Sequence, residues 1–384
     1  MRVALVHDWL VSIRGAEKVL ESFCRIYPDA DLFVLHHDAA GLRQSRELSA
    51  RPVHTSFIDR LPAALQPRFR LLLPLFPVAV ESFRLDGYDL VISSSHAVAK
   101  GAIAAPGAVH VSYVHTPMRY IWEAGAEYAP RIPCGALGRA AFGVMAHYLR
   151  LWDTVTTARV DALVANSRYT RDRIRRCYGR ESVIIEPPVD ISRFERIPDP
   201  STSTSPSSPM YLCVSALVPY KRVELAVRAF LGREERLVVV GEGSERDRLV
   251  EIAGAAPNIE LRGRLDDAEV DRLFAACQAV IHPAIDDFGI VPVEALAAGR
   301  PVVAFAGGGA TDSVRDGETG ALFAEATPAS LGAALTRLQR LRFEPDRLRT
   351  EARRFDRTTF ERRFAALVES CRQRARDGGA AARA

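Results

Sequence analysis

Short apolar runs alternate with amphipathic stretches along most of the chain, and this alternation predicts strands that are each followed by a helix. The runs 3–6 (VALV) and 237–240 (LVVV) are apolar at every position, which is typical of strands buried on both faces of a parallel sheet. The stretch 16–26 places apolar residues three and four positions apart, as an amphipathic helix does. The other predicted strands are 32–35, 90–93, 109–114, 162–165, 182–185, 211–215, 259–262, 279–281 and 302–305.

A segment rich in serine, threonine and proline separates two such series. Residues 198–209 read PDPSTSTSPSSP, a composition typical of a flexible linker. We therefore predict an N-terminal domain over 1–197, a C-terminal domain over 210–355, and a basic helix with a tail over 356–384. Each domain is predicted to be α/β, with a parallel sheet covered by helices on both faces, so ligands should bind beyond the carboxyl ends of the strands.

The segment 284–301, AIDDFGIVPVEALAAGRP, is the richest in candidate chemistry. Pro292 suits the first turn of a helix, and the Gly-x-Pro exit suits its end, which predicts a helix over 292–298. Glu294 then lies in the first turn, and Asp286 lies on the loop before it. Backbone N–H groups at a helix start attract phosphate, and carboxylates accept hydrogen bonds from hydroxyls. A phosphate site beside hydroxyl acceptors suits a sugar nucleotide.

The spacing of Asp286 and Glu294, with Phe-Gly-Ile between them, resembles the acidic-x7-Glu signature of retaining GT-B glycosyltransferases of the family 4 type. The resemblance implies two Rossmann-like domains facing a cleft. It assigns Glu294 to the ribose of the donor and Asp286 to the transferred sugar. The first acid is usually Glu, so Asp286 is one methylene shorter, and Asp287 is an alternative for this role. Loop residues that the resemblance places near the diphosphate are Phe288, Gly289 and Ile290.

Other residues of the donor site follow from the same resemblance. Lys221, in SALVPYKR after a predicted strand, is assigned to the diphosphate; Ala216 stands where the family has an Arg, and Arg222 is the candidate replacement. A solvated basic turn is the alternative. Further donor-site candidates are Gly15, Gly241 and Arg262; an ordinary tight turn is the alternative for Gly241 and Arg262. The segment 306–312, AGGGATD, is consistent with either a phosphate nest or a flexible turn.

In the first domain, His115 follows the predicted strand 109–114, and Pro117 keeps the preceding residue extended. The family has a His at this location near the reacting sugar, so the resemblance groups His115 with Asp286 and Glu294 as catalytic residues. Arg119, Trp122 and Asn166 are candidates for acceptor binding; a helix cap is the alternative for Asn166.

The sequence argues against several other functions. The segment 7–17 joins the first strand to the first helix and contains a single glycine, so a dinucleotide cofactor is not expected. The Asp-x-Asp at 29–31 precedes a strand instead of following one, and no metal is expected. The six cysteines lack zinc-site spacing and are expected to be free thiols. A net charge of +4 is too small to indicate nucleic-acid binding.

The runs HTPMRYIW, NSRYTRDRI and VPYKR resemble the mannosyltransferase-like bacterial branch of the family. That branch implies transfer of a hexose, mannose from GDP-mannose, to a lipid-linked saccharide in O-antigen, capsule or exopolysaccharide synthesis. Alternatives are a UDP-sugar-dependent transferase, a sugar-nucleotide 2-epimerase and a non-catalytic sugar-nucleotide-binding protein.

Location is a further expectation. No signal peptide or membrane-spanning run is recognised, so a cytoplasmic protein is expected, with peripheral contact at the inner face of the membrane left open. The segment 61–83, rich in leucine, proline and arginine, either docks on a membrane or forms proline-broken core helices.

Overall fold

A computed structural model describes residues 1–13, 15–38, 42–43, 45–60, 66–123, 135–197 and 209–381. The chain forms two compact units, one made of Met1–Pro188 with Phe360–Ala384 and the other of Val189–Thr359. The predicted linker lies outside the described residues except for Pro209.

The sheet of the first unit is parallel throughout its described part. The strand order is β3-β2-β1-β4-β5-β6-β7, so the chain starts in the middle, extends to one edge, returns to β4 and then extends to the other edge. Its strands are β1 Val3–Leu10, β2 Asp31–His37, β3 Val53–Thr55, β4 Leu90–Ser95, β5 Val109–Val114, β6 Ala162–Ala165 and β7 Val183–Ile184.

Helices cover both faces of this sheet. They are α1 Gly15–Ile26, α2 Arg46–Ser49, α3 Phe76–Glu81, α4 Arg119–Trp122, α5 Gly135–Val155 and α6 Arg168–Tyr178. Short 3-10 helices occupy Phe57–Arg60, Gln66–Leu75, Ala99–Gly101 and Thr156–Arg159. The long helix α5 was not predicted from the sequence. The segment 61–83, for which membrane docking and proline-broken core helices were the two interpretations, forms the 3-10 helix Gln66–Leu75 and then α3, with residues 61–65 outside the described part.

The second unit contains a six-stranded parallel sheet in its described residues, in the order β10-β9-β8-β11-β12-β13. Its strands are β8 Met210–Val214, β9 Arg236–Val240, β10 Ile259–Arg262, β11 Ala279–His282, β12 Val302–Phe305 and β13 Gly320–Phe323. Its helices are α7 Ile191–Phe194, α8 Val223–Phe230, α9 Arg246–Ala253, α10 Asp267–Ala276, α11 Ile290–Ala297, α12 Ala310–Ser313, α13 Pro328–Leu338 and α14 Pro345–Ala352, with 3-10 turns at Pro219–Lys221 and Arg353–Phe355.

Residues 189–197 pack with the second unit, although the sequence assigned them to the first domain. The Val189 N–H donates to the carbonyl oxygen of Phe355 at 3.0 Å, and the Phe194 ring meets Phe274 edge-on at 5.3 Å. The apolar residues of α7 complete the core of the second unit, which explains why the division falls before the linker.

The last helix, α15 Arg357–Ala381, occupies most of the segment 356–384 that was predicted as a basic helix with a tail. Phe360 and Phe364 pack against Phe23 with ring centroids 5.8 Å and 4.4 Å apart, and Val368 and Cys371 extend the same apolar face. Burial of this stripe places residues 360 onward in the first unit.

Among the residues that the structure describes, no helix is long and apolar enough to cross a membrane. Cys134 lies outside the description, and the other five cysteines, at 24, 177, 213, 277 and 371, are free.

Candidate active site

The second sheet has a switch point between β8 and β11. The chain leaves β8 towards β9 on one side, and it leaves β11 towards β12 on the other. The loops that follow these two neighbouring strands therefore diverge and leave a crevice at the carboxyl edge of the sheet, where open parallel sheets bind ligands. Lys221 lies on the first loop and Asp286 on the second.

An ion pair bridges this switch point. Lys221 Nζ donates to both carboxylate oxygens of Asp286, each at 2.7 Å, and both side chains remain slightly exposed. The 3-10 turn Pro219–Lys221 and the left-handed conformation of Arg222, at φ 52°, shape the loop that presents the lysine. The sequence placed both charged groups in one site, but it did not predict that they pair.

His282, at the end of β11, lies beside this pair. Its Nε2 atom is 3.4 Å from Oδ2 of Asp286. Burial lowers the pKa of His282 to about 4; the nearby Asp286 carboxylate acts against this shift, and Lys221 adds to it. His282 is therefore neutral near pH 7, and Lys221 supplies the positive charge that faces Asp286. A histidine at the end of an otherwise apolar strand was the sequence signal that we missed.

Helix α11 begins earlier than predicted. It starts at Ile290, with Gly289 as its N-cap at φ 87°, so Pro292 lies inside the first turn and Glu294 lies in the second turn. The first-turn N–H groups, including that of Ile290, have no acceptor inside the helix and can receive an anion. The side chain of Phe288 is buried in the core, edge-on to Phe355, which leaves only its backbone for a ligand.

The glycine-rich loop after β12 supports the loop that carries Asp286. The Gly309 N–H donates to the carbonyl oxygen of Asp286 at 2.8 Å. A Cβ atom on Gly308 would lie 2.6 Å from that oxygen, and one on Gly309 would lie 2.3 Å from Cα of Phe288. The glycines allow this close contact between two backbones, which is a packing role that neither sequence interpretation included.

Glu294 is partly buried in the second unit. Burial raises the pKa of its carboxyl to about 7; Arg193 acts against this shift, and Asp267 and Asp271 add to it. Arg193 is itself held by Asp271, with Nε–Oδ1 and Nη2–Oδ1 distances of 3.0 Å and 2.7 Å. A carboxyl that titrates near neutrality inside a site is a good acceptor for ribose hydroxyls once it is ionised.

The other donor-site candidates occupy different surroundings. The Arg222 guanidinium lies over the Phe305 ring at 5.4 Å, above the end of β12. A Cβ atom on Gly241 would lie 1.8 Å from the carbonyl oxygen of Ser215, so this glycine permits close packing of the loops after β9 and β8. Arg262, at the end of the edge strand β10, pairs with Glu260, with an Nε–Oε1 distance of 2.6 Å.

The first unit has its own switch point, between β1 and β4, and buried polar side chains cluster there. His7 Nδ1 is 3.0 Å from the carbonyl oxygen of Ser94 and 3.1 Å from its hydroxyl. The same hydroxyl is 2.8 Å from Nε2 of His115. On its other side, His7 Nε2 is 3.7 Å from a carboxylate oxygen of Glu17.

One assignment of the hydrogens satisfies these distances. A carbonyl oxygen only accepts, so Nδ1 of His7 carries a proton and donates towards Ser94. We assign the Ser94 hydroxyl as the donor to Nε2 of His115, an assignment that leaves the His115 proton on Nδ1. Burial lowers the pKa of His115 well below its usual value, and the charges of His96 and His7 add to this. His115 is therefore a neutral N–H donor near pH 7. Polar residues inside strands β1 and β4 were the missed signal for this cluster.

Two of the acceptor candidates make internal contacts. The Trp122 indole N–H donates to Asp153 at 2.7 Å, and the Asn166 amide donates to the carbonyl oxygen of His115 at 2.9 Å. The adjacent Ser167 caps α6, so Asn166 fixes the end of β5 instead of capping the helix. Arg119 begins α4, and Gly15 begins α1. Within the described ranges, no group of three His, Cys, Asp or Glu side chains could hold a metal ion.

Two family models match consecutive parts of the chain. The model described as Glycosyltransferase Family 4 matches residues 13–193, and the model described as Glycosyl transferases group 1 matches residues 199–355. Together they extend over most of the sequence and divide it close to the boundary between the two units.

Similar proteins carry related names. The chain is 30% identical over 183 residues, 42% of its own length and 48% of the relative's, to the GDP-mannose-dependent alpha-(1-6)-phosphatidylinositol monomannoside mannosyltransferase of Mycolicibacterium smegmatis. It is 31% identical over 206 residues, 47% of its length and 49% of the relative's, to the D-inositol 3-phosphate glycosyltransferase of Actinosynnema mirum. The matched region therefore spans about half the length of these curated relatives.

A solved structure extends the similarity to the whole fold. The crystal structure of Anabaena HepE in complex with UDP superposes with a TM-score of 0.68, covering 96% of this chain and 100% of that one at 19% sequence identity. This likeness establishes the architecture.

Proposed function

Because the chain belongs to the GT-B glycosyltransferases of the family 4 type, we propose that it transfers a hexose from a nucleotide sugar to a saccharide acceptor. The observation that carries the proposal is the Lys221–Asp286 pair across the switch point of the second sheet, next to the start of α11. This arrangement places a cation, a carboxylate and first-turn N–H groups around one crevice. Such a set fits a diphosphate attached to a sugar.

The donor diphosphate is proposed to lie on Lys221 and on the N–H groups of Gly289 and Ile290. The lysine ammonium has three N–H donors, so it can contact both Asp286 and a phosphate oxygen. Asp286 accepts hydroxyls of the transferred sugar, and Glu294 accepts the ribose hydroxyls. Arg222, next to Lys221 on the same loop, is the proposed second cation in place of the missing arginine at position 216.

In the proposed reaction, the bond from the sugar anomeric carbon to the phosphate oxygen breaks, and the pair of electrons goes to the departing nucleoside diphosphate. Lys221 and the helix N–H groups stabilise that charge. The acceptor hydroxyl attacks from the same face, its oxygen bonds to the anomeric carbon, and its proton goes to the leaving phosphate. The configuration is thereby retained, and no strong side-chain base is required. His115, as an N–H donor, positions a hydroxyl of the reacting sugar.

The finer assignment is a mannosyl transfer from GDP-mannose to a lipid-linked saccharide in O-antigen, capsule or exopolysaccharide synthesis, with peripheral contact at the inner face of the membrane. The name of the M. smegmatis relative supports the mannosyl donor. A UDP-sugar donor is the alternative, because the HepE structure, which shares the fold, was solved in complex with UDP. Arg119 and Asn166 are the proposed acceptor contacts, and turnover is proposed to need no metal.

The test begins with thermal-shift binding of GDP, UDP, ADP and their common sugars in the presence of EDTA. Stabilisation by GDP and GDP-mannose alone would support the mannosyl donor, and stabilisation by UDP alone would replace it with a UDP-sugar. No stabilisation by any of them would overturn the donor site.

The second step separates the activities. NMR of the bound donor incubated alone detects the product of a 2-epimerase, which needs no acceptor. Incubation with lipid-linked saccharides detects transfer, and the anomeric coupling of the new linkage shows whether configuration is retained. Tight donor binding with neither product would indicate a non-catalytic binding protein.

A further inference from the structure

His282 ends strand β11 with a buried ring nitrogen that faces the donor site. The residue is 5% exposed, and its strand lies inside the sheet, between β8 and β12. Its Nε2 atom is 3.4 Å from Oδ2 of Asp286. A Cβ atom on Gly289 would lie 3.3 Å from the same nitrogen, so Nε2 also faces the backbone at the start of α11. The imidazole therefore lies against the loop that joins β11 to α11.

This nitrogen makes no hydrogen bond of good geometry within the described part of the chain. A buried polar atom without a partner is costly, and few such atoms occur in folded proteins. An atom of this kind that faces a ligand site indicates a hydrogen bond that forms when the site rearranges. The Asp286 carboxylate, at 3.4 Å, is the acceptor within its reach.

The carboxylate also indicates which nitrogen of His282 carries the proton. Burial lowers the pKa of His282 to about 4, with Asp286 acting against this shift and Lys221 adding to it, so the ring is neutral near pH 7. A neutral imidazole has one N–H, and its other nitrogen carries a lone pair. A lone pair on Nε2 would be repelled by the Asp286 oxygens, whereas an N–H there is attracted to them. We therefore assign the proton to Nε2.

Lys221 supplies hydrogen bonds to both oxygens of Asp286, which uses two of its three N–H donors. A diphosphate that binds the lysine competes for those donors. If the contact from Nζ to Oδ2 opens, a largely buried carboxylate oxygen loses a charge-assisted hydrogen bond, and this loss is costly. The Nε2–H of His282 lies close enough to replace it, and a second lysine N–H then becomes available to phosphate.

We propose that His282 is a positioning residue of the donor site, which takes over Oδ2 of Asp286 when Lys221 turns to the donor diphosphate. The identity of that anion rests on the proposed function. The exchange of partners does not, because any change that withdraws Lys221 from Oδ2 should bring the Nε2–H and the carboxylate together. His282 acts through Asp286, whose carboxylate it keeps in place for the sugar hydroxyls.

The first test removes the lysine and needs no nucleotide. Nitrogen NMR of the full chain with isotope-labelled histidine identifies the His282 signals by their loss in His282→Gln. The wild type should show a neutral ring with its proton on Nε2. In Lys221→Met this proton should move downfield and exchange more slowly with water, because it then donates to Asp286. A proton on Nδ1 in either protein, or an Nε2 proton that Lys221→Met leaves unchanged, would overturn the proposal.

The second test compares two replacements of similar size by isothermal titration with GDP and with UDP. His282→Gln keeps an N–H donor near the position of Nε2, and His282→Leu removes it. The glutamine variant should bind the nucleotide within about threefold of the wild type, and the leucine variant about tenfold more weakly. The reverse order would show that the residue only fills space, because leucine suits a buried strand better than an unpaired amide does. Equal binding by all three proteins would likewise overturn the proposal.

The matched control is His110→Leu. His110 is a buried strand histidine of the first unit, with Nε2 2.9 Å from the Ser93 hydroxyl and a pKa that burial also lowers to about 4. Its replacement should leave nucleotide binding unchanged, and urea unfolding of each variant shows whether the fold is retained. Absence of nucleotide binding by the wild type would overturn the proposed donor site, while the histidine spectra would still decide whether His282 takes over Asp286.

Discussion

The ammonium of Lys221 lies 2.7 Å from each carboxylate oxygen of Asp286, although the two residues are 65 positions apart in the sequence. They meet because β8 and β11 are neighbours at the switch point, and each residue lies on the loop that follows its strand. The two residues assigned to phosphate and sugar are thus in direct contact with each other. A bound donor has to share the lysine with Asp286, which makes the two loops act as one site.

This pair leads to the first prediction. Lys221→Ala should reduce kcat by about 100-fold to 1,000-fold, as loss of a donor to developing transition-state charge does. Asp286→Asn should also impair turnover, and the double variant should be less impaired than the product of the single effects, because the residues interact directly. Steady-state kinetics with the donor found by thermal shift provides the measurement.

The control for this prediction is Arg228→Ala. Arg228 pairs with Glu224 on the outer side of α8, with an Nε–Oε1 distance of 2.7 Å, and it should leave kcat unchanged. Strictly multiplicative effects of the Lys221 and Asp286 substitutions would show that the pair does not operate as a unit.

Glu294 provides a prediction about pH. Burial raises the pKa of its carboxyl from 4.5 to about 7, so in the free protein the group ionises as the pH passes through neutrality. The ionised form accepts ribose hydroxyls more strongly, so nucleotide binding should tighten from about pH 6 to about pH 8. Glu294→Gln should bind more weakly at the upper end and lose this pH dependence. Isothermal titration across the range measures both effects.

The raised pKa of Glu294 also affects the stability of the fold, which should fall with rising pH while nucleotide binding tightens. The folded protein holds the proton of Glu294 more tightly than the unfolded chain does. The contribution of this group to folding stability is fully present below about pH 4.5 and is lost as the pH rises through about 7.

A wild-type pH profile of nucleotide binding that Glu294→Gln reproduces would assign the pH dependence of binding to another group.

Much of the fold could be predicted from the sequence, because buried parallel strands such as β1 and β9 are continuous apolar runs. The elements that were missed include strands β3 and β13 and helix α5. Helix α5 has apolar residues on two faces, so its sequence lacks a single amphipathic stripe. The signature residues were found through their spacing within one segment. The Lys221–Asp286 pair and the cluster of His7, Ser94 and His115 depend on which strands are neighbours, and a local pattern does not contain that information.

The glycine loop after β12 gives a third prediction. Gly308→Ala should abolish nucleotide binding, because the new Cβ atom would lie 2.6 Å from the backbone oxygen of Asp286 and would displace the loop that carries the carboxylate. The control is Gly232→Ala. Gly232 has nearly the same positive φ, 72° against 71°, but a Cβ atom there meets nothing within 4 Å. It should cost about 1 kcal/mol of stability and leave binding intact. Equal effects of the two variants on binding would show that backbone strain, not the contact, is responsible.

The histidine cluster of the first unit gives a fourth prediction. Ser94→Ala removes the hydroxyl that donates to Nε2 of His115, so the imidazole is no longer held in the tautomer that has its proton on Nδ1. We expect kcat to fall about tenfold or more, with little change in KM for the donor. Ser94→Thr, which keeps a hydroxyl, should restore part of the rate. Nitrogen NMR of labelled histidine should show the tautomer change directly, and a Ser94→Ala spectrum like that of the wild type would contradict the assigned hydrogen positions.

The buried ion pair of the first unit gives the last prediction. Asp153 and Lys100 are almost fully buried and paired, and Asp153 also accepts from the Trp122 indole and the Tyr178 hydroxyl, at 2.7 Å and 2.9 Å. Asp153→Asn should cost about 3–5 kcal/mol, because it leaves the Lys100 ammonium buried without a counter-charge. All three tryptophans, at 9, 122 and 152, lie in the first unit, so their fluorescence during urea unfolding reports on that unit.

A second substitution distinguishes the charge from the packing. Lys100→Met combined with Asp153→Asn should be more stable than Asp153→Asn alone, because no unpaired charge remains in the core. If the double variant is the less stable one, the lysine stabilises this region through its packing between Trp152 and Tyr178, whose ring centroids lie 5.3 Å and 5.1 Å from its ammonium, and not through its charge. Nucleotide binding by the second unit should be unaffected in either protein, since both substituted residues belong to the first unit.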